Sequence, residues 1–199
     1  MNSARIRNAI LTAARKVFLT EGYMASMDKI AAEAYVARRS IFNIFGSKDN
    51  LFSAVLSEAV SSEVDTSALD PQADVETALR GFAEGYCEAA LSEENVQLSR
   101  LVSAEYERIP QLIGGLTKGM MSQMLPPLAA YFTALQKDGK IVDLDAEMAA
   151  ERFLASVLGS ERARLALGGE PTSKARRKRY VDETVRQFVH GLYPRPSNG

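Results

Sequence analysis

The sequence predicts an all-α protein, with a small N-terminal head and a larger C-terminal helical bundle, about nine helices in all. Apolar residues recur at helical spacing from one end of the chain to the other. Period-2 runs of β-branched residues are missing. Gly, Pro and capping residues cut the apolar pattern into helix-length pieces.

Ile6, Ile10, Ala14, Val17 and Phe18 line one face of a first helix over Ser3–Thr20, and Gly22 lies where a C-cap glycine belongs. Ser26 reads as the N-cap of a short second helix whose inner face is Met27, Ile30, Ala31 and Ala34. After a break at Tyr35–Ala37, a third short helix runs from Arg38 to about Ile44, with Ile41, Ile44 and Phe45 as its apolar side and Gly46 as its stop. Ser47 caps a fourth helix over Lys48–Val64. A linker, Asp65–Ala73, leads to helices over Gln72–Leu91, with Pro71 entering its first turn, and Glu93–Arg108. The stretch Gln111–Lys137 is helical but should be kinked or broken at Pro126–Pro127, which lack amide donors. One long helix is expected over Asp145–Leu167, closed by Gly168–Gly169. Pro171–Thr172 open the last helix, which runs to about Tyr193, and disorder is expected over Pro194–Gly199.

The 199 residues are 46% apolar and 25% charged, enough for a packed core. No stretch reaches the roughly 18 apolar residues of a membrane span. The N-terminus has no signal-peptide pattern, so a cytoplasmic protein without membrane contact is expected. Cys87 and His190 are the sole cysteine and histidine, too few and too far apart for a zinc site. Cys87 reads as a small buried hydrophobe and His190 as a surface or helix-end group. With no G-x-S-x-G elbow and no phosphate-cradling glycine loop, no enzyme, catalytic residue, metal or cofactor is expected.

Charge is distributed unevenly. Residues 1–50 hold eight cations and four anions, a balance of +4; the whole chain is −1, so the remainder carries −5. A basic head on an acidic body suits a nucleic-acid-binding module joined to a domain with another task.

The block Ser26–Lys48 has the spacing of a helix-turn-helix. Met27, Ile30, Ala31, Val36, Ile41 and Phe45 would be buried. Ala37, Arg38, Arg39, Ser40, Phe42 and Asn43 would face outward. Arginine can present a bidentate donor pair to guanine, and asparagine pairs likewise with adenine in the major groove. Serine and lysine suit phosphates.

These residues also resemble the TetR/AcrR family of bacterial regulators over about Arg5–Leu51. The resemblance is carried by Ala13-Ala14-Arg15-Lys16-Val17-Phe18, Glu21-Gly22-Tyr23, Ile30-Ala31, Val36, Ser40-Ile41-Phe42-Asn43-Ile44-Phe45 and Ser47-Lys48. It implies a homodimer with a DNA-binding head over 1–47 and an effector-binding and dimerisation domain over 48–199. It also implies phosphate contacts at Ser26 and Lys48, and recognition-helix roles for Ala37, Arg38, Arg39, Ser40 and Asn43. The chain departs from the family twice. Tyr35 stands where the turn usually has glycine, and would be strained if that position needs φ > 0. Phe42 stands where tyrosine is usual, so it can offer apolar contact but no hydroxyl bond.

The segment Leu98–Tyr193 resembles AefR-like C-terminal domains, through Leu101–Glu105 with Pro110, Ala149–Leu158 and Phe188–Tyr193. Candidate effector contacts are Phe82, Tyr86, Met120, Met121 and Met124, with Glu105, Tyr106 and Arg162 as polar anchors. Candidate dimer contacts are Leu154, Val157, Leu158 and Leu165 on one helix and Val181, Val185, Phe188, Val189 and Leu192 on another, with part of each stripe facing the monomer's own core. The basic run Lys174–Arg179 opposes the helix dipole and reads either as a solvated turn or as an anion contact.

The expected function is a DNA-binding regulator that represses from a palindromic operator, with double-stranded operator DNA, a second copy and a small apolar or amphipathic effector as partners. The alternative is a helical partner-binding module that has lost specific DNA binding.

Overall fold

The computed structural model describes residues 3–61, 64–105 and 111–193, and the side chains of these except 59–61 and 111–123. Among the described residues there are ten α-helices and no strand: α1 (Ser3–Glu21), α2 (Met27–Glu33), α3 (Arg38–Phe45), α4 (Lys48–Ser61), α5 (Val75–Ala90), α6 (Glu93–Glu105), α7 (Gln111–Lys137), α8 (Ala146–Leu158), α9 (Glu161–Ala166) and α10 (Lys174–Leu192). A single 3₁₀ turn, Thr66–Ala68, precedes α5. By internal contacts the chain forms two compact units, residues 1–62 with 93–120, and residues 63–92 with 121–199.

The first unit is built on the apolar face of α1. Ile10, Ala14 and Phe18 are fully covered, and so are Ile30 of α2, Ile41 of α3 and Leu51 and Phe52 of α4. Phe52 meets Phe18 edge-on with ring centroids 4.8 Å apart, and Tyr23 at 5.2 Å. Leu98 and Val102 of α6 join this core. Each of the large apolar side chains contributes roughly 1.5–3 kcal/mol by leaving water. Gly22 ends α1 at φ 75°, a conformation glycine adopts without a Cβ penalty.

The second unit packs α10 against α5 and α8. Its centre is a chain of rings: Phe82 near Phe153, Phe153 edge-on to Phe188 at 4.9 Å, and Phe188 near Phe132 at 5.9 Å. Arg80 of α5 binds Glu76 and Asp182, tying α5 to α10.

Four boundaries differ from the sequence-based expectation. Pro71 lies outside α5, whose N-cap is Asp74; its side chain accepts from the Thr77 amide at 2.9 Å. The prolines do not interrupt α7, which is one helix. Leu128, Tyr131, Phe132 and Leu135 are buried beyond them, and that burial offsets a backbone penalty of about 3 kcal/mol per interior proline. The expected long helix is instead α8 and α9, parted at Gly159 with φ 49°, where a Cβ would run into the Tyr180 phenol. Finally, α10 starts at Lys174, capped by Ser173. Pro194–Gly199 lie outside the described residues.

Candidate nucleic-acid interface

The helix-turn-helix forms where the sequence places it. Ser26 caps α2, its hydroxyl accepting from the Lys29 amide at 3.2 Å. The turn passes through Tyr35 at φ 54°, the one non-glycine positive φ among the described residues, with the side chain 94% exposed. The sterically adverse turn therefore holds a tyrosine that contributes little packing. Ala37 is the N-cap of α3 and makes no side-chain cap bond.

On α3, Ile41 and Phe45 seat the helix on the core. Arg38, Arg39, Phe42 and Asn43 are exposed, and Ser40 is half-buried. Two expectations change. Ile44 is 36% exposed and belongs to the outer face, and Val36 is half-buried rather than enclosed. The exposure of Ile44 follows from the short length of α3, which gives a single apolar row two full positions and leaves its flanks open; Val36 lies in the turn before α3.

The two arginines have different surroundings. Arg38 is held by Asp28 of α2, Nη1 to Oδ2 at 3.0 Å, and its guanidinium lies 5.5 Å over the Phe42 ring. Arg39 has no acidic partner among the described residues. Phe42, unable to bond a phosphate, thus serves as a platform for Arg38.

Lys48 opens α4 with its ammonium 4.7 Å over the Tyr23 ring. The Tyr23 hydroxyl donates to Asp49. Burial pulls the Lys48 amine below its usual range, partly countered by Asp49 and Glu105. Burial and Asp49 together push the Tyr23 phenol upward. Lys48 is therefore positioned rather than waving free. Elsewhere in the head, Lys16 pairs with Glu33, Lys29 with Glu21 and Arg15 with Glu94. Arg7 lies 5.6 Å over Phe45 at the end of α3. The supporting roles of Asp28, Tyr23 and Arg7 escaped the sequence reading, because each depends on a pairing between separate segments of the chain.

The expected effector residues are scattered. Phe82 and Tyr86 are buried in the second unit with rings stacked at 6.2 Å, and Met124 is buried there too. Burial pushes the Tyr86 phenol up to about 12 and pulls the Arg162 guanidinium down, each partly countered by the other. Glu105 lies on α6, in the first unit. Tyr106 and the side chains of Met120 and Met121 lie outside the described residues.

Of the expected dimer stripe, Leu154, Val157, Leu158, Leu165, Val181, Val185, Val189 and Leu192 are covered by their own chain. Phe188 alone is half-exposed. The stripe is the core of the second unit, and the outer sides of α8 and α10 carry other residues. Among the described residues no group of acids, Cys and His could hold a metal, and no helix is long and apolar enough to cross a membrane.

Residues 10–55 match the family described as bacterial regulatory proteins, tetR family, and residues 77–191 match the AefR-like transcriptional repressor C-terminal domain. A solved structure from Mesorhizobium loti assigned to the TetR family is 27% identical, with a TM-score of 0.80 over 98% of this chain and 100% of that one. A TetR transcriptional regulator from Agrobacterium tumefaciens is 20% identical over 94% of each chain, with a TM-score of 0.76. The flavonoid-responsive regulator FrrA is 24% identical over 97% of this chain and 100% of its own, with a TM-score of 0.71. No curated protein matches by sequence.

Proposed function

The chain belongs to the TetR family of bacterial regulatory proteins, with an AefR-like C-terminal domain, and on that premise we propose that it represses from a palindromic operator as a homodimer and is released by a small apolar or amphipathic effector. One observation carries the reading: Arg39 and Asn43 stand exposed one turn apart on α3, while Ile41 and Phe45 anchor the opposite side.

In this reading Arg39 and Asn43 read base edges in the major groove. Arg38, steadied by Asp28 and Phe42, approaches the groove wall. Ser26 and Lys48 take phosphates, and Ala37 and Ser40 allow close approach at the start of α3. Two heads must present their α3 helices about 34–36 Å apart to dock in successive major grooves. The second copy adds through the outer sides of α8 and α10, where Phe188 is flanked by Ser156, Thr184 and Gln187. An effector near Phe82, Tyr86 and Arg162 that favours a misspaced pair of heads lowers operator affinity by population shift.

The test is an electrophoretic shift of the duplex upstream of the protein's own gene, at low and moderate salt, followed by footprinting. Salt-sensitive binding with two protected half-sites is expected. Absence of salt-sensitive binding to any duplex would overturn the reading in favour of a partner-binding module.

A further inference from the structure

Lys174, Arg176, Arg177, Lys178 and Arg179 crowd the first two turns of α10 with no acid among them, and the DNA-binding reading gives them no task. The second unit carries two cavities beside this run, and they share Cys87, Leu91 and Arg177. The smaller, about 150 Å³, has Val157, Leu158 and Tyr180 as apolar wall, with Glu161, Arg164 and Arg176 at its edge. The larger, about 460 Å³, adds Val181, with Lys174, Lys178, Glu84 and Glu88 around it.

Five cations thus face three acids. Two of the acids are already engaged. Glu84 pairs with Lys178 at 3.2 Å, and Glu161 pairs with Arg164 while accepting from the Thr172 amide at 2.9 Å. Lys174, Arg176 and Arg177 have no acidic partner among the described residues. Arg177 is half-buried and lines both cavities, so it stands where an anion in either could reach it. The floor is apolar: Cys87 of α5, its C-cap residue Leu91 and, in the larger cavity, Val181 of α10.

We propose that this groove binds a small organic anion with an apolar body, of the medium-chain carboxylate class, its carboxylate on Arg177 and its chain along Cys87, Leu91 and Val181. A neutral apolar ligand would leave the excess cations unanswered. A bare inorganic anion would leave the floor wet. This site is separate from the Phe82–Tyr86 cluster, and its binding chemistry does not depend on DNA recognition.

Isothermal titration of the full chain with octanoate, 1-octanol and inorganic phosphate tests it. Octanoate is expected to bind about tenfold or more tightly than either alternative, because a charge-assisted bond is added to apolar burial. Arg177→Gln should weaken octanoate about tenfold and leave octanol unchanged. Cys87→Phe, which fills the shared floor, should abolish binding. Arg179→Gln, which lines neither cavity, should bind octanoate like the parent. Octanol or phosphate binding as well as octanoate, no octanoate binding, or parental binding by Arg177→Gln would each overturn the site. Operator binding by Arg177→Gln without octanoate is measured alongside and should be unchanged; this separates failure of the site from failure of the regulator reading.

Discussion

The head and the C-terminal unit both arise from apolar residues at helical spacing, yet their outward faces are not equally readable. In the head, the short helices α2 and α3 each bury a narrow set of residues, and the polar residues left over are the candidate functional surface: Arg39 and Asn43 are exposed because Ile41 and Phe45 are not. In the C-terminal unit, α8 and α10 carry apolar stripes that lie in the unit's own core, from Leu154 to Leu192. An apolar stripe states that something covers it. It does not say whether the cover is the same chain or another copy.

The largest effects should come from the cores, where the two regions behave alike. Phe52→Ala in the head and Phe153→Ala in the C-terminal unit should each cost about 3–5 kcal/mol in urea unfolding, whereas Arg39→Ala should stay within about 0.5 kcal/mol. A mild Phe52→Ala would break the picture of the head as a tightly packed core. Next is alkaline pH. The folded Tyr86 phenol titrates at about 12 against an ordinary 10.0. Its contribution is complete below pH 10 and is lost as pH rises toward 12, by up to about 2–3 kcal/mol for a group this enclosed. Tyr86→Phe should flatten that part of the stability–pH curve, with tyrosinate absorbance as the readout.

Function separates the regions. Arg39→Ala and Asn43→Ala should each cost roughly 1–3 kcal/mol on operator DNA and relax the base preference, whereas Lys48→Ala should weaken all duplexes alike and reduce the salt slope by about one. Binding titrations on matched and scrambled duplexes give both numbers, and equal losses on the two duplexes for Arg39→Ala would remove it from base reading. The smallest effect is local. Tyr35→Gly relieves a left-handed residue with little packing to lose and should stabilise the protein by about 0.5–1 kcal/mol, less the entropy glycine gives back. Tyr35→Ala should not stabilise at all, and a matching gain from alanine would show that φ is not the cause.

Much of the head was legible because its signals are local. The Ser26 and Ser47 caps, the Gly22 stop and the alternation of buried Ile41 with outward Arg39 and Asn43 act within one or two helical turns. The continuity of α7 through Pro126 and Pro127 was not legible, since burial of residues beyond them outweighs the backbone cost. The break at Gly159 was hidden because its cause, the Tyr180 ring, lies 21 residues away in sequence.

The sequence by itself determined an all-helical chain with a basic helix-turn-helix head, since periodicity, capping and charge are short-range properties of neighbouring residues. Tertiary structure alone decided that Asp28 holds Arg38, that Tyr23 steadies Lys48, and that Arg177 meets Cys87 over a shared cavity. Those pairings join groups from separate segments of the chain, and contact between them exists only once the segments are packed.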